Sequence, residues 1–570
     1  VKFNVHLVGA LAVVFIAVVL GQSGVAGAAV ESPTSILETV TFSEHVAPIL
    51  FRHCTPCHRP GQPVPFTLLN YGEAASKADR IDRAVTSRRM PPWQADPFCG
   101  PFANARLLTT NEMQLISRWV ALGTPEGDRK YLPPIPTFTQ SWQLGPPDLV
   151  VPTPAAYRLN PSTNDTYYNL VLPMKLDRPR FVRAVEFSPG AAGTVHHAFI
   201  RFDRSGRCRK LASESGSSGF PGIHLPSGAF SSDSQFLSWQ PGRRSSEVPA
   251  GMAWQLQPGT DVVLQLHLPA VSAAVDVQPT VAFYFTDEPP IRRGYKVRLT
   301  SFTFSIPPGA TNYVVREEFK VPIATTLVSL LPHAHRLARR VQVSITPPGL
   351  PTRNLLNIPM WDFEWQTDYN FNPELPIAAG TLLSMEFSYI NPNPFPVGYG
   401  PNTSDEMAEL WVLFAVNSPD EYAAMAKAES PMVIRDTLAY NEYRLKADPR
   451  DWRALMQMAN ALLTRGDTEA ALIQFERAET IVPNESEPHY WAGFALRQLK
   501  RVEAAEARFN EAIRCDPKNW QAHGTLGLIS LDRHDYGEAT RHFRAALEIN
   551  PGDRLARQGL AKAEAGINRR

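Results

Sequence analysis

At 570 residues the chain is several times the usual domain size of roughly 100 to 200 residues, which excludes a single compact unit and leads us to expect two to five. Its 56 Lys and Arg against 55 Asp and Glu, with 44% hydrophobic residues, exclude a polybasic nucleic-acid binder and a highly charged disordered chain. The 52 prolines are nearly twice the average usage and point to loop-linked strands over much of the length.

The first predicted element is an export signal. Lys2 precedes an apolar run from Leu7 to Leu20, and Ala26-Gly27-Ala28 supplies the small-x-small cleavage pattern. The run is shorter than the about 20 residues of a membrane span, so residues 1–28 read as a cleaved signal peptide, with an uncleaved anchor as the alternative. No later segment has spanning length, and the mature chain is expected to be periplasmic or secreted.

Residues 40–123 read as a small all-α domain. Ser43-Glu44-His45-Val46 opens a helix with Val46, Ile49 and Leu50 on one face. Thr109-Thr110-Asn111-Glu112 is a capping box before Ile116, Trp119 and Val120, and Gly123 stops that helix. Between the two lies Cys54-Thr55-Pro56-Cys57-His58, the CxxCH pattern in which two thiolates form thioethers with haem and the imidazole becomes an axial ligand. One helical turn must present both sulfurs and the ring to one macrocycle. A redox pair or half a zinc site is the alternative, and the export signal and the lack of a second CxxC weigh against it. The segment resembles small c-type cytochrome domains, which implies covalent haem c on Cys54, Cys57 and His58. Met90, in Arg88-Arg89-Met90-Pro91-Pro92-Trp93, is the expected sixth ligand, with Trp93 over the haem edge. Met113, on a predicted helix, is the other candidate, and His45 and His53 read as structural. Such ligation suits electron transfer. A proline-rich linker, 124–147, follows.

From 148 to 418 short alternating runs are separated by turns, among them Tyr167–Leu172, Phe181–Phe187, Asp261–Leu268, Val281–Phe285, Val341–Ile345 and Leu382–Tyr389. The spacing implies antiparallel sandwiches or jelly rolls, and the length implies two, 148–290 and 291–418. Six histidines lie here: His196, His197, His224, His267, His333 and His335. Period two places Val262, Leu264, Leu266 and Leu268 on one face and His267 with Gln265 on the other. His333 and His335 project from the same side of an extended backbone and can reach one metal. Adjacent His196 and His197 face opposite ways and could share a metal only at a twisted strand end or bulge.

Taken in order, Val195-His196-His197-Ala198, Leu264-Gln265-Leu266-His267, His333-Ala334-His335 and Ser404-Asp405-Glu406-Met407 before Leu410-Trp411-Val412-Leu413-Phe414 resemble the copper type II ascorbate-dependent monooxygenases, over about half the chain. The resemblance implies two copper ions: one on His196, His197 and His267 for electron transfer, and a catalytic one on His333, His335 and Met407. It further implies hydroxylation of an activated C–H bond by O2, with electrons from ascorbate or another one-electron reductant. The fused haem suggests a cytochrome feeding the three-histidine copper. The substrate, a small molecule or a peptide, stays open because the substrate-binding residues of the peptide-hydroxylating members find no match. The disulfides of the animal enzymes are also missing. Cys99 and Cys208 are the two cysteines that could pair across domains, and Cys515 stands alone.

The end of the chain is repetitive. Pro449, Pro483, Pro517 and Pro551 are 34 residues apart, and Ala471/Ala505/Ala539, Phe475/Phe509/Phe543 and Ala478/Ala512/Ala546 recur in phase, with Gly493 and Gly527 in the last two units. This resembles the tetratricopeptide repeat, placed at 435–566, and implies an all-α solenoid with a concave face for a protein partner. The expectation is thus a periplasmic or secreted copper monooxygenase with haem c and a partner-docking repeat. A haem/copper electron-transfer protein or a repeat-based scaffold that oxidises no substrate is the alternative.

Overall fold

The computed structural model describes residues 39–60, 64–137, 142–163, 165–190, 194–222, 247–568 and short pieces between 225 and 245. The expected signal peptide, His224 and residues 138–141 of the linker lie outside the described residues.

Near the N-terminus a π-turn, Phe42–Val46, runs into the helix Ala47–His53. With the helices Ala78–Thr86 and Thr110–Ala121 it closes a small core around Phe42, Leu50, Ile81, Ile116 and Trp119. The capping box forms as read: the Glu112 N–H donates to the Thr109 hydroxyl, and the Thr109 N–H donates to the Glu112 carboxylate. The start of the proline-rich stretch belongs to this domain, because the Pro125 carbonyl accepts from the Phe42 N–H at 2.9 Å and from the Trp119 indole at 3.1 Å.

One piece of the N-terminal region leaves that core. Ala95 and Phe102 are buried in the core of the second β unit, and Phe102 bridges to Phe371. The Trp93 ring, expected at a haem edge, instead packs at 5.0 Å from Tyr369 and 5.9 Å from Phe102. Edge-on aromatic contacts of this kind hold the segment to its neighbour domain.

The middle of the chain is β-rich and antiparallel throughout its named sheets. In the first unit one sheet orders Leu149–Pro152, Thr280–Thr286, Arg180–Ser188 and Trp254–Leu256. The other is built on Gly219–Pro221, Thr166–Pro173, Asp261–Leu268, His197–Asp203 and Ala229–Ser231. Leu170, Ile200 and Leu264 meet Val182, Val281 and Phe283 in one core, as alternation along the strands requires. The second unit pairs two four-stranded sheets. One orders Arg293–Thr300, Ala408–Val416, Thr325–Ala334 and Tyr369–Ile377; the other orders Tyr313–Lys320, Leu382–Tyr389, Ala338–Thr346 and Arg353–Ile358. Residues 287–292 join the two units.

A helix the sequence reading missed, Pro419–Ala447, packs on the second unit and leads into the repeats. Tyr440 lies 5.2 Å from the Phe302 ring, and the Tyr295 hydroxyl donates to Glu429. Three helix pairs follow, Trp452–Arg465 with Thr468–Ile481, Ser486–Gln498 with Val502–Cys515, and Trp520–Asp532 with Tyr536–Ile549, then Arg554–Ile567. Phe475, Phe509 and Phe543 are fully buried between them. A Cβ on Gly493 would stand 2.9 Å from the Phe509 ring, and one on Gly527 2.7 Å from Phe543, so the phased glycines are what let the helices approach. Among the described residues no helix is long and apolar enough to cross a membrane.

Candidate metal centres

The first histidine set forms at one end of a sheet in the first β unit. His267 and His197 are direct cross-strand partners. His196 sits just outside the strand that starts at His197, its N–H donating to the His267 carbonyl at 2.9 Å. That strand end is how neighbouring residues escape the opposite-face rule. One ligand atom from each of the three imidazoles lies within 4.8 Å of the others. The Tyr167 ring stacks on His267 at 4.6 Å, and the Asp165 carboxylate accepts from His267 Nε2 at 2.9 Å. A carboxylate can only accept, so Nε2 carries the proton and Nδ1 holds the lone pair, which His197 Nε2 faces at 3.0 Å. Nδ1 of His196 and Nδ1 of His197 are buried without a hydrogen-bond partner. Orphaned imidazole nitrogens in a tight triad fit a bound cation.

The second set stands on the strand Thr325–Ala334 and the residue after it. The His335 Nδ1 lies 3.1 Å from the Asp405 carbonyl, and His333 Nδ1 faces the amide oxygen of Gln366. The Gln366 NH2 is spent on the Phe363 carbonyl at 3.1 Å, which fixes its orientation. Both acceptors demand an Nδ1–H, so both rings keep Nε2 free to ligate. Buried Glu406 accepts from the N–H groups of His335, Leu337 and Met407, and so ties the Met407 backbone to that of His335. Burial raises the Glu406 carboxyl to about 7 against those donors. Met407 is itself buried at the start of the strand Ala408–Val416.

The two sets adjoin. The His197 and His333 ring centroids are 6.4 Å apart, and Phe363 stacks on His196 at 5.1 Å while meeting His335 edge-on at 5.8 Å. Thr403 of the loop before Met407 donates to Asp165 at 2.6 Å, and the Tyr167 hydroxyl donates to the Pro401 carbonyl, bolting the units together beside the rings. Burial, reinforced by neighbouring imidazoles, depresses His196 to about 4 and His335 to about 3, and holds His197 and His267 below the usual range. Neutral imidazole is the ligating form.

At the CxxCH turn the His58 N–H donates to the Cys54 carbonyl at 2.8 Å. His58 Nδ1 faces the Phe66 carbonyl at 3.0 Å, which leaves Nε2 for an axial position. Burial, with Cys57 beside it, pushes the Cys54 thiol up to about 12. With His58 Nε2 left open one turn from two free thiols, the residues fit thioether attachment. Met90 follows the helix Ala78–Thr86, half-buried, with its N–H on the Ala84 carbonyl. Met113 lies within the helix Thr110–Ala121. All five cysteines are free: Cys208 is buried in the first β unit and Cys99 packs on the second, so the pairing the sequence left open is not made.

Among the described residues one other group has ligand spacing, His489, Glu511 and Cys515. Both nitrogens of His489 are occupied there, by Glu479 and the Pro483 carbonyl. Sequence reasoning gave no role to Asp165, Tyr167, Phe363 and Gln366, which carry no local signature, nor to Glu406, which stands beside Met407 in the quoted motif.

The family model of the tetratricopeptide repeat matches residues 438–486 and 489–565. A tetratricopeptide repeat-containing protein, trd-1 of Caenorhabditis elegans, is 27% identical over 151 residues, which cover 22% of this chain and 19% of that protein. The chain thus spans about a fifth of this curated relative. Among solved structures, MamA aligns at 22% identity with a TM-score of 0.23, covering 25% of this chain and 76% of its own. The first repeat domain of Spaghetti (RPAP3), bound to an HSP90 peptide, aligns at 19% with a TM-score of 0.21, covering 21% and 96%. The C-terminal segment is a tetratricopeptide-repeat domain.

Proposed function

We propose that the chain is an exported copper-dependent monooxygenase of the type II ascorbate-dependent kind. In this reading its β units are two jelly-roll copper domains, and its N-terminal domain carries haem c. The observation that carries the reading is the convergence of five histidines from two β units, four of which, His196, His197, His333 and His335, keep a ring nitrogen clear of any protein partner, while the fifth, His267, faces His197 through its Nδ1. Copper on these residues would supply one-electron redox chemistry and O2 activation for C–H hydroxylation, and haem c a reservoir of single electrons. Asp165 orients His267, Gln366 and the Asp405 carbonyl orient His333 and His335, and Glu406 fixes the spacing of His335 and Met407. Tyr167 stacks on His267 and Phe363 on His196, so aromatic faces cover part of the triad.

The test is O2 uptake by protein reconstituted with copper and haem, given ascorbate and a panel of peptides, amines and phenethyl compounds. Uptake matched by hydroxylated product, lost in Met407→Ile, supports the reading; full product formation in Met407→Ile contradicts it. The tetratricopeptide repeats favour a second reading, a scaffold or electron-transfer protein that docks a partner. Negligible uptake across the panel, with a partner retained by the isolated chain, would favour that one.

A further inference from the structure

The segment that leaves the haem domain ends on the loop that dresses the second histidine set. The Gln94 carboxamide is saturated by that loop's backbone: its NH2 donates to the carbonyls of Asp362 at 3.0 Å and Trp365 at 2.6 Å, and its oxygen accepts from the Asp362 N–H at 2.7 Å. These three bonds bracket the single 3-10 turn Phe363–Trp365. Ten residues on, Asn104 treats the other end of the loop the same way, donating to the Asp368 carbonyl at 2.6 Å and accepting from the Asn370 N–H at 3.1 Å. The bracketed loop touches each imidazole of the second set. The Trp361 indole donates to the His335 carbonyl at 3.2 Å, Phe363 lies edge-on to His335, and Gln366, held by Phe363, accepts from His333.

We propose that the haem-domain segment sets the second histidine pair. Gln94 holds the turn 362–365 in the one arrangement that presents the Gln366 oxygen to His333, so Gln94 is a positioning residue for a site in another domain. The chain of contacts runs from the CxxCH domain to the pair of the second β unit, and through Phe363 the same loop also stacks on His196 of the triad. The metal consequence rests on the copper reading above; the tautomer consequence does not. Severing Gln94 frees the turn, lets Gln366 rotate, and allows the His333 proton to move between Nδ1 and Nε2.

Two measurements on the full haem-loaded chain test this. The first is the tautomer of His333 in copper-free protein, from 15N-histidine long-range spectra assigned with His333→Ala. The wild type should show Nδ1–H alone, and Gln94→Ala and Gln366→Leu should both show a mixture. The second is the copper affinity of the pair in a His196→Ala/His267→Ala background, which should fall about tenfold in either variant while the haem spectrum stays unchanged. Asn104→Ala keeps the test open if Gln94→Ala fails to fold, and should shift the tautomer in the same direction. A Gln94→Ala protein with wild-type tautomer and affinity, beside a Gln366→Leu protein altered in both, would overturn the proposal. A tautomer that responds to Gln94 in a protein that takes up no copper would uphold the coupling and defeat the copper reading instead.

Discussion

What each imidazole can do at the site turns on how its two nitrogens are engaged. In the triad, Asp165 protects Nε2 of His267, and two Nδ1 atoms stand buried without partners; in the pair, two acceptors each claim an Nδ1 and leave Nε2. Asp165→Asn should therefore weaken copper at the triad by about tenfold and leave the pair alone, because an amide can present its NH2 to Nε2 and admit the wrong tautomer. Titration of copper into His335→Ala protein, which isolates the triad, reads this; an unchanged affinity would remove Asp165 from its role. The histidines were legible in the sequence because strand alternation sets His267 on the face opposite the leucines and pairs His333 with His335, while their order along the chain carried the resemblance. The supports were not legible. Asp165 lies 102 residues from His267 and Gln366 lies 33 from His333, and single carboxylates and amides at such separations leave no periodic trace.

At the scale of elements, phased small residues made the repeats readable, since Gly493 and Gly527 each answer a ring on the facing helix and the phased alanines are buried. Gly527→Ala would bring a Cβ to 2.7 Å from Phe543, and such overpacking should cost about 1–3 kcal/mol, measured by urea unfolding of the repeat domain's helical signal. No loss of stability would mean the ring has room to move. The helix Pro419–Ala447 escaped notice because Pro431 inside it reads as a break. It meets the second β unit through Glu429, Asp436 and Arg435, with Glu317 opposite. Burial raises all three carboxyls above their ordinary range, against the pull of Tyr295 on Glu429 and of Arg435 on the other two. A raised folded value means the folded state binds protons more tightly, so this contribution is full below the ordinary carboxylate range and is lost as pH rises through the raised values. The melting temperature difference between Glu429→Gln and wild type should consequently grow in the variant's favour from pH 5 to pH 8. A pH-independent difference would contradict the burial assignment.

For the molecule as a whole, the segment 93–105 decides which β unit the N-terminal helical domain adjoins. It joins the core of the second through Phe102 and Ala95, a long-range choice no local pattern announces. The β units meet beside their histidines through Asp165, Thr403, Tyr167 and Pro401, so the two sets form one neighbourhood rather than separated stations. The repeats hang from the second unit by the long helix and touch the first through Arg207 and Glu487 at 3.2 Å. His58→Ala should remove haem without unfolding either β unit, checked by circular dichroism and the loss of the haem band; collapse of the β signal would make the haem part of the fold rather than a cofactor on it. The central claim, two metal centres beside a covalent haem, is tested most directly by copper and iron content from mass spectrometry on wild type and His335→Ala. About two coppers per haem iron, falling to about one in the variant, is the predicted result. Iron without copper in the wild type, or an unchanged copper count in His335→Ala, would contradict it.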